Sequence, residues 1–246
     1  MTATDAVGYE RIGAAALITI NRPERRNAVD GATAAALLAA YERFAADEQA
    51  RVLVLTGAGD QAFCAGADLK ALETLDPDAA AGPMGFTRLE PAKPAIAAIG
   101  GWCVAGGLEL ALWCDLRIAG EDARFGCLER RWGVPLIDGG TQRLPRVVGL
   151  GRALDLILTG RTVDAPEALA MGLVNEVVPA GRHVARALEL AEAIAAFPQE
   201  TMLSDREAAH AALGLPLQQG LALEARLGRG RILRALEGAR RFADRG

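Results

Sequence analysis

The chain has 246 residues, 51% hydrophobic and 24% charged. This is a globular composition, long enough for one large or two small domains burying roughly 70–75% of the unfolded surface. The net charge of −4 at pH 7 speaks against a nucleic-acid partner, which would require a basic field. Cys64, Cys103, Cys114 and Cys127 form no C-x-x-C pair and have only two histidines to assist them. A metal site is therefore not expected, and buried reduced thiols are.

The first residues, Met1-Thr2-Ala3-Thr4-Asp5, lack the basic start and apolar core of a signal peptide. The longest apolar run lies between Lys93 and Glu109 and is broken by glycines, too short and interrupted for a membrane span. These features lead to the expectation of a cytoplasmic protein with no membrane partner.

In chain order, Val7–Ile12 and Ala15–Ile20 read as two strands joined at Gly13, and residues 31–46 read as a helix capped by Asp30. Arg51–Thr56 is apolar, branched and bounded by Gly57, hence a buried strand. Pro94–Ile99 is another, followed by a helix over Gly106–Cys114 and a strand over Leu116–Ala119. This alternation points to an α/β core with parallel strands and crossover helices. From Ala153 the chain turns mostly helical, with one strand-like run at Leu173–Val178. Helical segments over 181–196, 198–213 and 216–242 are interrupted near Pro198 and Pro216.

Four stretches carry possible chemistry. Phe63-Cys64-Ala65-Gly66-Ala67-Asp68-Leu69-Lys70 follows a strand, and its small residues let a ligand approach the backbone. If Asp68 caps a helix, the free N–H groups there can bind an oxyanion; a simple turn is the competing reading. Gly100 to Glu109 again joins a strand to a helix, and Leu108, Leu110, Ala111, Leu112 and Trp113 make that helix apolar all round. Glu109 is then a buried carboxylate, paired or functional unless it merely caps its own turn. Glu129, beside Arg130 and Arg131, reads by itself as a solvated or ion-paired surface group. Gly139-Gly140-Thr141 either admits a ligand or forms a tight turn.

Together and in this order, the motifs resemble the enoyl-CoA hydratase/isomerase (crotonase) family. The matching stretches are Asn21-Arg22-Pro23 with Asn27-Ala28, Phe63 to Lys70, Lys93-Pro94 through Gly106-Gly107-Leu108-Glu109 to Cys114-Asp115, Phe125-Gly126 with Glu129, and Gly139 to Leu144. The resemblance implies an α/β, crotonase-like (ClpP/crotonase) fold of repeated ββα units with a helical C-terminal region. It implies a single domain over 1–246, with a core over about 1–180 and a trimerisation region over about 181–246. It further implies acyl-CoA thioester substrates, no cofactor beyond the coenzyme A of the substrate, no metal, and assembly as a homotrimer or dimer of trimers.

By position, the backbone N–H groups of Ala67 and Gly106 would form the oxyanion hole, and Glu109 and Glu129 match the family's catalytic glutamates. Arg25, Arg26, Ala28, Ala65, Gly66, Asp68, Leu69 and Gly107 match segments around coenzyme A and substrate. Arg226, Arg229, Arg231 and Arg234 can meet a phosphate or form a solvated helix face. The implied reaction is syn addition of water to a 2-enoyl-CoA through a thioester enolate, as in fatty acid β-oxidation, with Glu129 as acid and Glu109 holding the water. An enoyl-CoA or dienoyl-CoA isomerase and a non-catalytic acyl-CoA-binding protein are the alternatives.

The sequence departs from typical hydratases at Leu128, where a proline is usual, and at Ile137, where a glycine is common. An inward Ile137 would narrow the pocket. Asp138 is either a third acid near the site or an N-cap for the helix beginning near Gly139, the second reading being preferred. Arg130 and Arg131 are candidates for holding Glu129 ionised. The acyl pocket is expected to involve residues 71–89. Trp102, Trp113 and Trp132 are read as core or pocket, core being preferred, and His183 and His210 as uninvolved in catalysis.

Overall fold

A computed structural model describes residues 6–244. They fall into two compact units divided between Glu192 and Ala193. The first unit begins with β1 (Val7–Ile12) and β2 (Ala15–Ile20), an antiparallel pair. Their turn places Gly13 at φ 57°, a left-handed conformation that glycine adopts at little cost. Helix α1 (Gly31–Ala46) starts where Asp30 accepts the Thr33 N–H at 2.9 Å, and it buries Leu37, Tyr41 and Phe44.

The remaining elements alternate between two sheets. They are β3 (Val52–Gly57), β4 (Ala62–Cys64), β5 (Ala95–Ile99), β6 (Trp102–Val104), α2 (Gly106–Trp113), β7 (Leu116–Gly120) and β8 (Arg124–Gly126). Then come α3 (Gly140–Val148), α4 (Leu150–Thr159), β9 (Val163–Asp164), α5 (Ala165–Ala170), β10 (Glu176–Val178) and α6 (His183–Ala195). A six-stranded sheet has the order β1-β2-β3-β5-β7-β10, parallel from β2 onward. A four-stranded sheet has the order β4-β6-β8-β9. In it, β4, β6 and β8 run parallel, and β9 is antiparallel to β8.

The expected strands and helices of the larger sheet are present, with β1, β2 and α1 at the expected bounds and the other ends shifted by at most three residues. The second sheet was not expected. Its strands are only two or three residues long, too short to show a period of two. Each of β4, β6 and β8 follows a strand of the first sheet after a brief turn, so three strand–strand–site units repeat along the chain.

The core joins both sheets to α2, all eight of whose residues are buried. Phe86 and Trp113 lie 4.6 Å apart between ring centroids. All four cysteines are free and buried, and burial pushes the Cys64 thiol up to about 12. No helix among the described residues is long and apolar enough to cross a membrane.

The second unit contains α7 (Gln199–Ala211), α8 (Leu217–Arg229) and α9 (Ile232–Ala243). The single helix expected over 216–242 is instead two. Gly228 and Gly230 weaken the helix locally, and the chain breaks there before Ile232. Arg234 ties α9 to Glu200 at 3.3 Å.

Candidate active site

Three parallel strands converge on one cavity. Beyond the C-terminal end of β4 lies the Ala65-Gly66-Ala67 loop, beyond β6 the Ala105-Gly106 turn into α2, and beyond β8 the short 3₁₀ turn Leu128–Trp132 carrying Glu129. Cys64 pairs with Cys103 across β4 and β6, and Val104 with Gly126 across β6 and β8. Neighbouring strands of one sheet thus bring together residues separated by tens of positions in sequence. Ala65, Ala67, Gly106, Glu109, Glu129 and Asp138 all line a cavity of about 780 Å³.

The two loops touch. Gly66 has φ 94°, and a Cβ placed on it would lie 2.9 Å from the Gly106 nitrogen. A Cβ on Gly107 would overlap the Cys64 carbonyl. Both glycines are therefore required by contact between loops. They sit behind the cavity wall. Ala105 adopts φ 52°, ψ −129°, a conformation costing about 1–3 kcal/mol in a residue with a side chain. That sharp turn starts α2 so that Gly106 is its first residue.

The Val29 N–H donates to the Gly66 carbonyl and the Asp68 N–H to the Val29 carbonyl, each at 2.8 Å. The intervening Ala67 amide is left without a partner in the surrounding turns, as is that of Gly106. Two unused amides on one cavity wall, one at a helix N-terminus, are the kind of backbone donors that can bind an anionic oxygen.

Glu109 and Glu129 are both buried, and they are held in different ways. Oε1 of Glu109 accepts the Asp138 N–H at 2.9 Å and the Gly140 N–H at 2.7 Å. A side chain at Gly140 would collide with this carboxylate, since its Cβ would lie 2.9 Å from Oε1. Burial pushes the Glu109 carboxyl up to about 8, against the two amide donors and with help from the Asp138 and Glu129 charges. Neither oxygen of Glu129 has a hydrogen-bond partner, and burial raises its pKa as well.

The arginines beside Glu129 do not pair with it. Arg130 donates to the Ile157 carbonyl at 3.3 Å and Arg131 to the Gly160 carbonyl at 2.9 Å.

Asp138 is not a helix cap. Gly139 occupies the N-cap position of α3 in a left-handed conformation, φ 100°, with no side-chain cap bond. The Asp138 carboxylate instead accepts the Met84 N–H at 3.0 Å and the Thr87 hydroxyl. Arg143 reinforces this junction, donating to the Asp138 carbonyl at 2.9 Å and the Thr87 carbonyl at 2.6 Å. Met84 packs over Gly106, so that a Cβ there would lie 3.0 Å from the Met84 methyl. Burial raises the Asp138 pKa.

Other expected residues have other placements. Leu69 lines the cavity. Asp68 starts a turn, accepting the Lys70 N–H at 3.1 Å, that leads into a short 3₁₀ segment, Leu72–Thr74, capped at Ala71, rather than an α-helix. Its carboxylate is engaged by Arg22 at 3.2 Å, and Arg22 also meets Asp30 at 2.8 Å. Burying Asp68 demands this partner. Asn27 donates to the carbonyls of Ala58 and Ala62 and is fully buried. Ala28 is buried beside it, while Arg25 and Arg26 are exposed.

Trp113 takes the preferred core placement, whereas Trp132 takes the alternative one: it is 72% exposed and lines the cavity. It stands at the end of an open 3₁₀ turn rather than on a packed element. Ile137 also lines the cavity. Met84 and Thr87 lie in the segment expected at the acyl pocket, but their bonds to Asp138 could not be foreseen, because nothing local in the sequence marks a loop residue that meets a group 51 to 54 positions away.

A family model for enoyl-CoA hydratase/isomerase matches residues 10–246. A probable enoyl-CoA hydratase of Rhizobium meliloti (strain 1021) is 43% identical over 222 residues, 89% of this chain and 86% of its own. The (E)-benzylidenesuccinyl-CoA hydratase of Thauera aromatica is 38% identical, over 84% of this chain and 82% of its own. The crystal structure of enoyl-CoA hydratase EchA1 from Mycobacterium marinum superposes with a TM-score of 0.92 at 37% identity, covering 98% of this chain and 96% of that one.

Proposed function

The chain belongs to the enoyl-CoA hydratase/isomerase family, its fold is that of the crotonase-type enoyl-CoA hydratases, and on that premise we propose that it adds water to a 2-enoyl-CoA. The observation that carries this reading is the meeting of two unused amides and two buried glutamates on one cavity wall.

The thioester carbonyl oxygen rests on the amides of Ala67 and Gly106. When the water oxygen bonds to C3, the C2–C3 π electrons form a C1=C2 double bond and the carbonyl pair moves onto the thioester oxygen, giving an enolate. Preorganised amides stabilise it without reorganising. Glu109, fixed by the Asp138 and Gly140 amides, holds the water and takes its proton. Glu129, whose oxygens are free of other donors, delivers a proton to C2. The enzyme is then one proton richer at Glu109 and one poorer at Glu129, and transfer between them restores the starting state. The two carboxyls titrate as a pair. Two carboxylates at the enolate favour hydration over isomerisation, where one proton shuttle suffices.

Coenzyme A arrives as part of the substrate, and no further cofactor enters this scheme. The exposed Arg25 and Arg26 are assigned to its phosphates. The reading includes a cytoplasmic protein assembled as a trimer or pair of trimers. Leu217, Leu221, Ile232, Leu233, Leu236 and Phe242, exposed on α8 and α9, support such assembly. Light scattering tests it, a monomer being the contrary result.

The deciding experiment offers 2-enoyl-CoA and 3-enoyl-CoA thioesters separately and identifies products. A 3-hydroxyacyl-CoA from the 2-enoyl substrate supports hydratase chemistry. Double-bond migration alone, or binding without turnover, overturns it.

A further inference from the structure

Beyond the reacting atoms, the cavity of about 780 Å³ is walled by Leu72, Leu75, Pro77, Val134, Leu136 and Ile137. Its titratable lining groups are Glu73, Glu109, Glu129 and Asp138, all carboxyl groups. The nearby arginines are engaged elsewhere. Arg88 donates to the carbonyls of Pro77, Ala79 and Ile137, and Arg143 to those of Thr87 and Asp138. Neither these nor Arg130 and Arg131 line the cavity.

Resting on the acyl-CoA reading above, we propose that this cavity selects a neutral, apolar acyl chain well beyond four carbons and rejects acyl groups that carry a carboxylate. Size and charge argue for it independently. The coenzyme A arm shares the cavity along Ala65 and Leu69, but at about 30 Å³ per carbon group a four-carbon acyl group is still too small to cover the apolar wall from Val134 to Ile137. Each further methylene removed from water there improves binding about fourfold. A terminal carboxylate would lose its water there without gaining a counter-ion, since the lining supplies carboxyl groups and no cation, and this disfavours binding.

The test separates selection from catalysis. Calorimetric titration of the intact protein with butyryl-CoA, octanoyl-CoA and octanedioyl-CoA measures the pocket with thioesters that cannot be hydrated. Octanoyl-CoA is expected to bind at least about tenfold more tightly than butyryl-CoA. Octanedioyl-CoA, equal in length but carboxylated, is expected to bind at least about tenfold more weakly than octanoyl-CoA. Equal affinities within either pair overturn the proposal. So does tighter binding of an acyl-CoA of similar length ending in a trimethylammonium group, which would make the carboxylates a cation site. Turnover of trans-2-octenoyl-CoA is followed separately. The expected binding order without hydration leaves the selectivity standing and removes the hydratase reading.

Discussion

The backbone N–H of Asp138 donates to Glu109 at 2.9 Å, while the Asp138 side chain accepts the amide of Met84 at 3.0 Å. One residue thereby orients a proposed base and anchors the loop that packs over Gly106, a proposed oxyanion donor. Its charge also raises the pKa of Glu109.

Replacement Asp138→Asn keeps an oxygen acceptor for Met84 and Thr87 but removes the negative charge. The base must be ionised to act, so kcat/KM rises with pH through its pKa, and in the parent that limb lies well above the ordinary 4.5. Without the Asp138 charge, Glu109 ionises more easily and the limb moves to lower pH. A pH profile of kcat/KM checks this; a limb that stays in place or moves up contradicts it.

Glu109→Gln and Glu129→Gln are each expected to lower kcat by about 10²–10⁴. The double variant should be far less impaired than the product of the two, since the groups act as a unit. Hydration rates with the preferred 2-enoyl-CoA are the measurement. Near-parental rates in both single variants would remove the two-glutamate scheme.

A methyl group at Gly66 would press on the Gly106 nitrogen and strain a backbone at φ 94°. Gly66→Ala is expected to reduce kcat/KM by about 10²–10³, the usual cost of losing an oxyanion donor. Thermal unfolding measured alongside separates this from loss of fold. A folded variant with unchanged kcat/KM would move the oxyanion site elsewhere.

Burial of Glu109 also links stability to pH. Its carboxyl is held up to about 8 in the folded chain against an ordinary 4.5, so between these values folding takes up a proton. Stability contributed by the protonated form is complete below 4.5 and is lost as pH rises toward 8. Glutamine carries no such dependence. Glu109→Gln is expected to raise the unfolding temperature by at least about 3 °C at pH 8.5, with the gain shrinking toward pH 4.5. An equal shift at both pH values would show that the charge is not responsible.

Arg22 binds Asp30 and Asp68 and donates to the Ala28 carbonyl at 2.5 Å. Arg22→Ala leaves the nearly buried Asp68 without its cation and is expected to destabilise the protein by about 3–5 kcal/mol. Denaturant unfolding measures it; a change below about 1 kcal/mol would mean that water replaces the guanidinium.

Local patterns made the larger sheet, α1 and α2 legible, because each is long enough to display its own period or cap. The glycines at 66, 106 and 107 and the lone carboxylate in an apolar helix also marked chemistry without any partner in view. The sequence by itself thus determined which backbone stretches can approach a ligand and which carboxylate must be buried. Only the tertiary structure decided that these stretches meet. That meeting depends on β4, β6 and β8, three-residue strands too short to announce themselves, whose parallel pairing sets Gly66 against Gly106 and brings Glu129 alongside. It likewise decided the role of Asp138. A preferred N-cap became a buried link to Met84 and Thr87 because Gly139 took the left-handed cap position and turned the carboxylate toward a loop 51 to 54 residues away.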